Sequence, residues 1–452
     1  MEITVAGAGS GKTTNMSKKI VELRKNQEDN KIIYCITFTN NAVTRIKEKL
    51  QKHYGEIPNN IVVSTIHSFL YQEFIKPYYY LVYNKHYERI ATGNLPDNPV
   101  YKKSVIQRLE TVNVIHQTVI PERAKWVISK KTTDKKDIKL KKEIIRKNFL
   151  SYCGAICIDE AQDIDVNMLE IIKTLNNLGV YIIAVGDPKQ DLRGHKCFKK
   201  LVALYPQNVN YLDLCHRCPQ SHIALSNIIV EEAEKQKSNK TTGDINIYFE
   251  TEKSIDELID KNNYDLIYIS QRQGIYETHI QYSNANVRDM LYEEISQLIK
   301  KNNPNISKLE VMRNSFYMAE SLLKNYERFG DKKMAMNKTF KSIKLNEFYG
   351  RIIGCLPSKT NKEKNKEFKI NVNSIDSIKG QEGKNCLFIL TTDIAEYLFN
   401  KKDDTTFKNK LYVALTRSLE KITIYITAPV EKKYKKENIE QFFKEHKISV
   451  KY

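Results

Sequence analysis

The 452-residue chain is long enough for about three domains and needs no disulfide or metal staple to hold a core. With 41% hydrophobic residues, a mean hydropathy of −0.52 and no apolar run approaching the roughly 18 to 20 residues of a membrane span, it reads as a soluble globular protein. That excludes integral membrane proteins and small disulfide scaffolds. Lys and Arg number 73 against 54 Asp and Glu, and the net charge of +19 points to a polyanionic partner such as nucleic acid. The competing explanation is compositional: Lys, Asn, Ile and Tyr are abundant throughout, as AT-rich coding would produce.

Met1 to Val5 run straight into Gly7 without a basic segment and an apolar one behind it, so no secretory leader is expected and the cytoplasm is the default compartment. Several of the eight cysteines lie inside apolar stretches (Cys35, Cys157, Cys386) and read as reduced core residues. Cys215 and Cys218 form the sole Cys-x-x-Cys; with no second ligand pair or thioredoxin-like setting, a zinc or redox reading is the weaker one.

In chain order, Ile3–Ala6, Ile32–Phe38, Ile61–Val63, Ala155–Ile158 and Tyr181–Val185 read as buried parallel strands alternating with amphipathic helices, which is an α/β pattern. Between Ser68 and Phe149 the chain turns Tyr/Lys-rich and helical. Its basic block, Arg123 to Lys147, holds eleven Lys/Arg against three Asp/Glu. A second α/β region begins near Leu212, gives way to a polar helical stretch from Ile275 to Tyr349, and resumes with Ile370–Asn373, Cys386–Leu390 and Ile422–Ile426. The expected organisation is a first parallel-sheet core at 1–70 and 150–205, a helical basic insertion at 71–149, a second core at 206–274 and 350–452, and a reduced insertion at 275–349. No Gly/Ser linker or repeat separates these parts, so they are expected to be interleaved.

Ala6-Gly7-Ala8-Gly9-Ser10-Gly11-Lys12-Thr13-Thr14 follows the first strand and precedes a helix expected over Asn15–Lys25. This is a relaxed phosphate-binding loop, with Ala6 in place of the first glycine. Small residues let backbone N–H groups from Ala8 to Thr14 wrap a polyphosphate, Lys12 neutralises it, and the Thr13 hydroxyl ligates Mg²⁺. Asp159 and Glu160 end a buried strand. Asp159 is the expected second Mg²⁺ partner and Glu160 the base that orients and deprotonates the attacking water. Together the motifs point to nucleoside triphosphate hydrolysis with ATP and Mg²⁺.

The remaining segments resemble, in order, the motifs of superfamily 1 helicases of the UvrD, PcrA and Rep type. Ile36-Thr37-Phe38-Thr39-Asn40-Asn41-Ala42 and Thr65-Ile66-His67-Ser68-Phe69 look like two elements that lie along single-stranded DNA in that family. The resemblance therefore implies DNA contacts at Thr37, Phe38, Asn40, Thr65, His67 and Phe69. Asp159-Glu160-Ala161-Gln162-Asp163 matches the D-E-[AC]-Q-D box, and Val185-Gly186-Asp187-Pro188-Lys189-Gln190 the G-D-x-x-Q motif, whose glutamine senses the γ phosphate. His216-Arg217 stands at the Y-R pair, Ser377 to Glu382 resembles S-x-K-G-x-E, and Tyr412 to Arg417 matches Y-V-A-x-T-R. By that likeness Arg217 and Arg417 reach the γ phosphate from the second core, and Glu382 reaches the nucleotide sugar. The implied fold is two RecA-like cores, each interrupted by a helical insertion. The implied activity is ATP-dependent translocation, 3′ to 5′, on single-stranded or partly duplex DNA.

Phe38 and Phe69 are either stacking faces for bases or core aromatics, and the Arg123–Lys147 block is either a backbone contact or a solvated helix face. The chain departs from the family in several places. Too few residues precede Ala6 for the upstream glutamine that reads adenine, Asp191-Leu192-Arg193-Gly194 replaces a longer aromatic stretch, and Asp376 occupies a histidine position. The stretch between Arg217 and Ser374 is short, and no nuclease module is expected after Arg417. Compact UvrD-like chains of this kind resemble the helicase subunit of Gabija-type anti-phage systems, which implies an OLD-type nuclease as partner. That leaves an alternative to the motor: a nucleic-acid-gated ATPase that senses or regulates within a nuclease complex, with little unwinding. A decayed scaffold is disfavoured because Lys12, Thr13, Asp159, Glu160, Gln190, Arg217 and Arg417 are all present.

Overall fold

The apolar runs of the N-terminal half become parallel strands because each is bounded by turn residues and enriched in β-branched side chains that pack on both faces. A computed structural model describes residues 1–26, 31–96, 98–278, 284–341, 343–356, 370–400 and 405–448. The first sheet comprises β1 (Glu2–Ala6), β2 (Ile32–Thr37), β3 (Ile61–Thr65), β4 (Cys153–Ile158), β5 (Tyr181–Gly186) and β6 (Val209–Leu212) in the order β3-β2-β4-β5-β1-β6. All its pairings are parallel. On one face, α1 (Lys12–Asn26) buries Met16, Ile20 and Val21, and α2 (Asn40–Tyr54) buries Ile46 and Leu50. Thr39 starts α2 by accepting a hydrogen bond from the Ala42 N–H. On the other face, α3 (Lys136–Tyr152) brings Phe149 against Tyr34, Phe69 and Phe74.

The second sheet is also wholly parallel: β7 (Asp244–Phe249), β8 (Leu266–Ile269), β9 (Tyr276–Thr278), β10 (Ile370–Ser374), β11 (Gly383–Leu390) and β12 (Ser418–Ile426), ordered β7-β12-β11-β8-β10-β9. The helix α4 (Thr406–Leu415) is buried from Leu411 to Leu415 against Ile245, Phe388 and Ile424. The fold is thus α/β with two parallel-sheet cores. β11 and β12 begin earlier than their apolar runs because the polar residues ahead of Cys386 and Ile422 already pair at the sheet ends.

Both cores lie in one compact unit formed by residues 1–82, 121–279 and 369–452. A second unit is built from 83–120 and 280–368, so segments of the two insertions expected separately share one body. Within that second unit, Leu291, Ile295, Ala319, Leu322, Met336 and Ile352 form the core of a helical bundle, and Arg89 and Arg108 pair with Glu293 and Glu294. The basic block belongs to the first unit. There Lys142 and Arg146 are buried and act structurally: Lys142 Nζ donates to the Ser129 carbonyl (3.0 Å) and to Asp134 (2.8 Å), and Arg146 donates to the Ile128 carbonyl (3.3 Å).

All eight cysteines are buried and unpaired. Among the described residues no group of three or more His, Cys, Asp or Glu is placed to hold a metal ion, and no helix is long and apolar enough to cross a membrane.

Candidate nucleotide site

In a parallel α/β sheet the loops at the carboxyl ends of the strands form the ligand crevice, and the loop after β1 occupies that position here. Gly9 (φ +67°) and Gly11 (φ +77°) adopt left-handed backbone that side-chain-bearing residues rarely accept, which bends the chain from β1 into α1. The Ser10 hydroxyl donates to the Gly7 carbonyl at 2.9 Å, and Thr14 and Asn15 N–H groups donate to the Gly11 carbonyl at 2.9 Å. Lys12 Nζ rests on the Ala6 and Gly7 carbonyls, each at 3.2 Å. These are weak acceptors beside a polyphosphate, which would draw the ammonium outward.

β4 delivers the two acids. Asp159 is fully buried; its Oδ2 accepts from the Thr13 hydroxyl at 3.2 Å and its Oδ1 from the Glu160 N–H at 3.1 Å. Glu160 is left-handed (φ 56°, ψ 41°), a strained geometry for a non-glycine residue that turns its side chain into the cleft, where Gln162 donates to it. Burial, reinforced by the neighbouring Glu160, pushes the Asp159 carboxyl up. Burial opposes ionisation of Glu160 too, yet the Lys12 ammonium and the Gln162 amide hold it below the usual carboxylate range. Lys12 and Gln162 thus favour the ionised form of Glu160, the form in which a carboxylate can accept a proton. The Thr13 hydroxyl and the Asp159 carboxylate form an all-oxygen donor pair that fits Mg²⁺, and a bound cation would offset the cost of burying Asp159.

Gln190 donates to Asp187 Oδ2 at 2.9 Å and lines the same cleft. From the second core, Arg217 enters with Nε 2.7 Å from Glu382 Oε2. Arg417 is only 1% exposed; its Nε donates to the Val413 carbonyl (3.0 Å), its Nη1 to the Gln381 carbonyl (3.2 Å), and its Nη2 is buried with no partner among the described residues. A buried, unsatisfied guanidinium nitrogen on a cleft residue is a place an anion would complete. The cleft measures about 810 Å³ and is lined by Gly9 to Thr14, Glu160 and Gln190 on one side and by Arg217, Gln381 and Arg417 on the other. That volume suits a nucleoside triphosphate.

Several expected residues fall elsewhere. Ala8 does not offer its amide to a ligand: it is fully buried, packs in the second core's apolar cluster, and donates its N–H to the Tyr412 hydroxyl. Glu382 accepts from Arg217 Nε, and its side chain stays half exposed. Phe69 is 2% exposed, edge-on to Tyr34 with centroids 5.0 Å apart, so it is a core aromatic without a free stacking face. Thr37 is fully buried, which removes its side chain from any strand contact. The Thr65 hydroxyl caps the short helix Ile66–Leu70 through the Ser68 N–H. Phe38 lines the cleft, Asn40 is exposed, His67 is half-buried, and Thr14 is exposed with its hydroxyl accepting from Lys49. Asp376 pairs with Lys410 at 2.7 Å.

Sequence reasoning missed Gln162 as the residue that orients Glu160, Lys379 as the partner of Asp163, and Arg45, Lys49 and Lys52 of α2, which line the cleft. The first two stood inside recognised motifs; the α2 cations had only their i, i+4, i+7 spacing to signal a shared face.

The first 195 residues match the AAA domain family. Over 194 residues the chain is 30% identical to the Gabija protein GajB of Bacillus cereus (strain VD045), an alignment covering 42% of this chain and 37% of that relative. The match therefore spans little more than a third of the relative's length. Two solved structures are also similar: a complex of Arterivirus nonstructural protein 10 (helicase) with DNA and the PRRSV helicase. The first shares 11% identity over 94% of this chain and 60% of its own, with a TM-score of 0.37. The second shares 10% identity over 94% and 52%, also with a TM-score of 0.37. The family match and the GajB likeness agree with the resemblance carried by the motifs.

Proposed function

We propose that the chain is an ATP-dependent translocase or helicase of the UvrD type on single-stranded or partly duplex DNA, hydrolysing ATP between its two parallel-sheet cores. The observation that carries this reading is the convergence, around one 810 Å³ cleft, of a phosphate loop and a base from the first core with two arginines from the second. Gly9 to Thr13 and Lys12 hold the β and γ phosphates, and Thr13 and Asp159 hold Mg²⁺, which neutralises phosphate charge when bound. Glu160 takes the proton of the attacking water. Gln190 senses the γ phosphate, and Arg217 and Arg417 stabilise the charge that develops as the γ-phosphoryl group leaves. Because those arginines belong to the second core, loss of the γ phosphate releases one core from the other, and alternating grip would move the protein along a strand. The 3′ to 5′ direction is what the family resemblance implies. Phe38, Asn40, Thr65 and His67 remain proposed strand contacts. A cytoplasmic location is part of the same reading.

The likeness to GajB favours a second reading, in which the chain is a nucleic-acid-gated ATPase that regulates an OLD-type nuclease in anti-phage defence. Steady-state ATP hydrolysis with and without single-stranded DNA, using Glu160→Gln as control, separates the two. Strong stimulation supports the motor. Glu160-dependent turnover without stimulation supports the regulatory subunit, and turnover that survives Glu160→Gln and Lys12→Ala rejects both.

A further inference from the structure

The peptide of Ala8 is held at both ends by the second core. Its N–H donates to the Tyr412 hydroxyl at 2.9 Å, that hydroxyl donates to Gln236 Oε1 at 2.8 Å, and Gln236 Nε2 donates back to the Ala8 carbonyl at 3.1 Å. The ring closes only with the Gln236 amide in this orientation. All three members are buried, with Gln236 3% and Tyr412 2% exposed. Gln236 is itself fixed by Asn227, which accepts from its N–H at 3.0 Å and donates to its carbonyl at 2.8 Å.

The phosphate loop is shaped to receive this amide. A Cβ on Gly7 would lie 2.2 Å from Gln236 Cδ, so Gln236 fills the space that any side chain at Gly7 would need. Two residues on, the His216 N–H donates to the Gly9 carbonyl at 2.9 Å, and a Cβ on Gly9 would lie 2.4 Å from Arg217 Cβ. Tyr412 in turn lies in α4 five residues before Arg417, which follows the helix end and whose Nε is tied to Val413. The loop is therefore seated against the two stretches of chain that carry Arg217 and Arg417.

We propose that Gln236 is a positioning residue for nucleotide hydrolysis: with Tyr412 it grips the Ala8 peptide and sets the register between the phosphate loop and the two arginines. It touches no substrate. The inference rests on the proposed nucleotide site but concerns a residue outside every recognised motif. Gly9 to Thr13 belong to the first core and bind phosphate without the ring, so losing the ring should misplace the arginines while sparing ground-state affinity. Gln236→Leu should lower kcat about tenfold, the worth of one or two buried hydrogen bonds, and leave KM for ATP and the affinity for a fluorescent ADP analogue within about twofold.

Gln236→Glu adds a readout that mere packing would not move. An ionised carboxylate faces the Ala8 carbonyl with like charge, whereas the protonated acid restores one donor and one acceptor in the same places. Burial favours the acid, and the nearby groups that can carry charge are Lys189, 5.2 Å from the Tyr412 ring, with its partners Asp187 and Glu234, and Cys215, whose thiol is pulled down to about 6 by hydrogen bonding with Cys218 and titrates alike in both proteins being compared. The kcat of Gln236→Glu relative to the unsubstituted protein should therefore rise as pH falls from 8 to 6. Tyr412→Phe, which deletes one oxygen, should reproduce the kcat loss and serves if Gln236→Leu fails to fold. Should Lys12→Ala abolish turnover while Gln236→Leu and Tyr412→Phe keep full kcat, or the Gln236→Glu ratio stay flat with pH, the ring has no positioning role. Should Lys12→Ala itself hydrolyse ATP normally, the nucleotide site is wrong and the ring proposal falls with it.

Discussion

Lys379 and Asp163 are paired across the cleft, the ammonium lying 2.6 and 2.7 Å from the two carboxylate oxygens, so that the second core's S-x-K-G segment is tied to the first core's D-E-A-Q-D segment. Burial pushes the Asp163 carboxyl up and Lys379 opposes that shift, so the carboxylate depends on its partner. The pair is partly exposed, at 20% and 13%. Its contribution to stability is therefore modest, about 1 kcal/mol, and its chief effect is on how the cores approach. Lys379→Ala should lower kcat for ATP several-fold at low ionic strength and reduce its sensitivity to salt, with little change in the melting temperature. Equal kcat of the unsubstituted protein and Lys379→Ala at low ionic strength would remove the coupling role.

Glu160 combines a strained backbone, an ionised carboxyl and a donor, Gln162, that aims it. A base that acts only in the chemical step should be separable from binding. Glu160→Gln is expected to slow ATP hydrolysis by about 10²-fold or more while keeping affinity for a slowly hydrolysed ATP analogue. Gln162→Ala should give a smaller loss of kcat of the same kind, because the base remains but is no longer oriented. A Gln162→Ala enzyme with unaltered kcat would show that the strained backbone alone places Glu160.

Phe69 tests the correction to the strand-contact reading. Its ring packs among Tyr34, Phe74 and Phe149, so Phe69→Ala should cost about 3–5 kcal/mol of stability, as large core truncations do. Denaturant unfolding measures that loss. At a temperature where the variant stays folded, its affinity for a fluorescent oligonucleotide should match that of the unsubstituted protein. A stable variant with weakened DNA binding would return Phe69 to the strand-contact set.

The strands and the residues gathered at the cleft were legible because their signals are local. A phosphate loop needs small residues and a lysine at fixed spacing, and a buried parallel strand needs an unbroken apolar run. Whether Phe69 faces a base or a core is not local: it depends on α3, whose Phe149 arrives from eighty residues away. The same holds for Ala8, whose position in the loop suggested a ligand-facing amide but whose partners, Tyr412 and Gln236, come from the second core. The basic block was legible only in part: Lys130, Lys135, Lys136, Lys139 and Lys147 are exposed, as either reading of it expects, while two of its cations are buried. Charge counts cannot show that Lys142 and Arg146 are spent on the carbonyls of Ser129 and Ile128. Nor does any short motif announce that residues 83–120 and 280–368 form one body, because that pairing is made by ion pairs such as Arg89–Glu293 between distant segments.

Those ion pairs make a pH dependence that can be signed. Burial, opposed by Arg89 and aided by Glu294 and Asp289, pushes the Glu293 carboxyl up to about 6. The native state therefore takes up this proton at a higher pH than the unfolded chain does. Stability from Glu293 is fully present below the unfolded pKa near 4.5, and it is lost as pH rises through about 6. His116, also buried in this unit, acts in the opposite sense: burial lowers its pKa, so protonation at acid pH favours the unfolded state. The unsubstituted protein's own curve mixes the two effects, but its difference from Glu293→Gln isolates the carboxyl. That difference should move in favour of the unsubstituted protein by about 1–2 kcal/mol between pH 7 and pH 4.5. Hydrogen exchange at amides of the helices Asn284–Asn302 and Lys308–Phe329 would read it within the second unit itself. If the difference does not change over that range, the Arg89 pair, and not burial, governs the charge on Glu293.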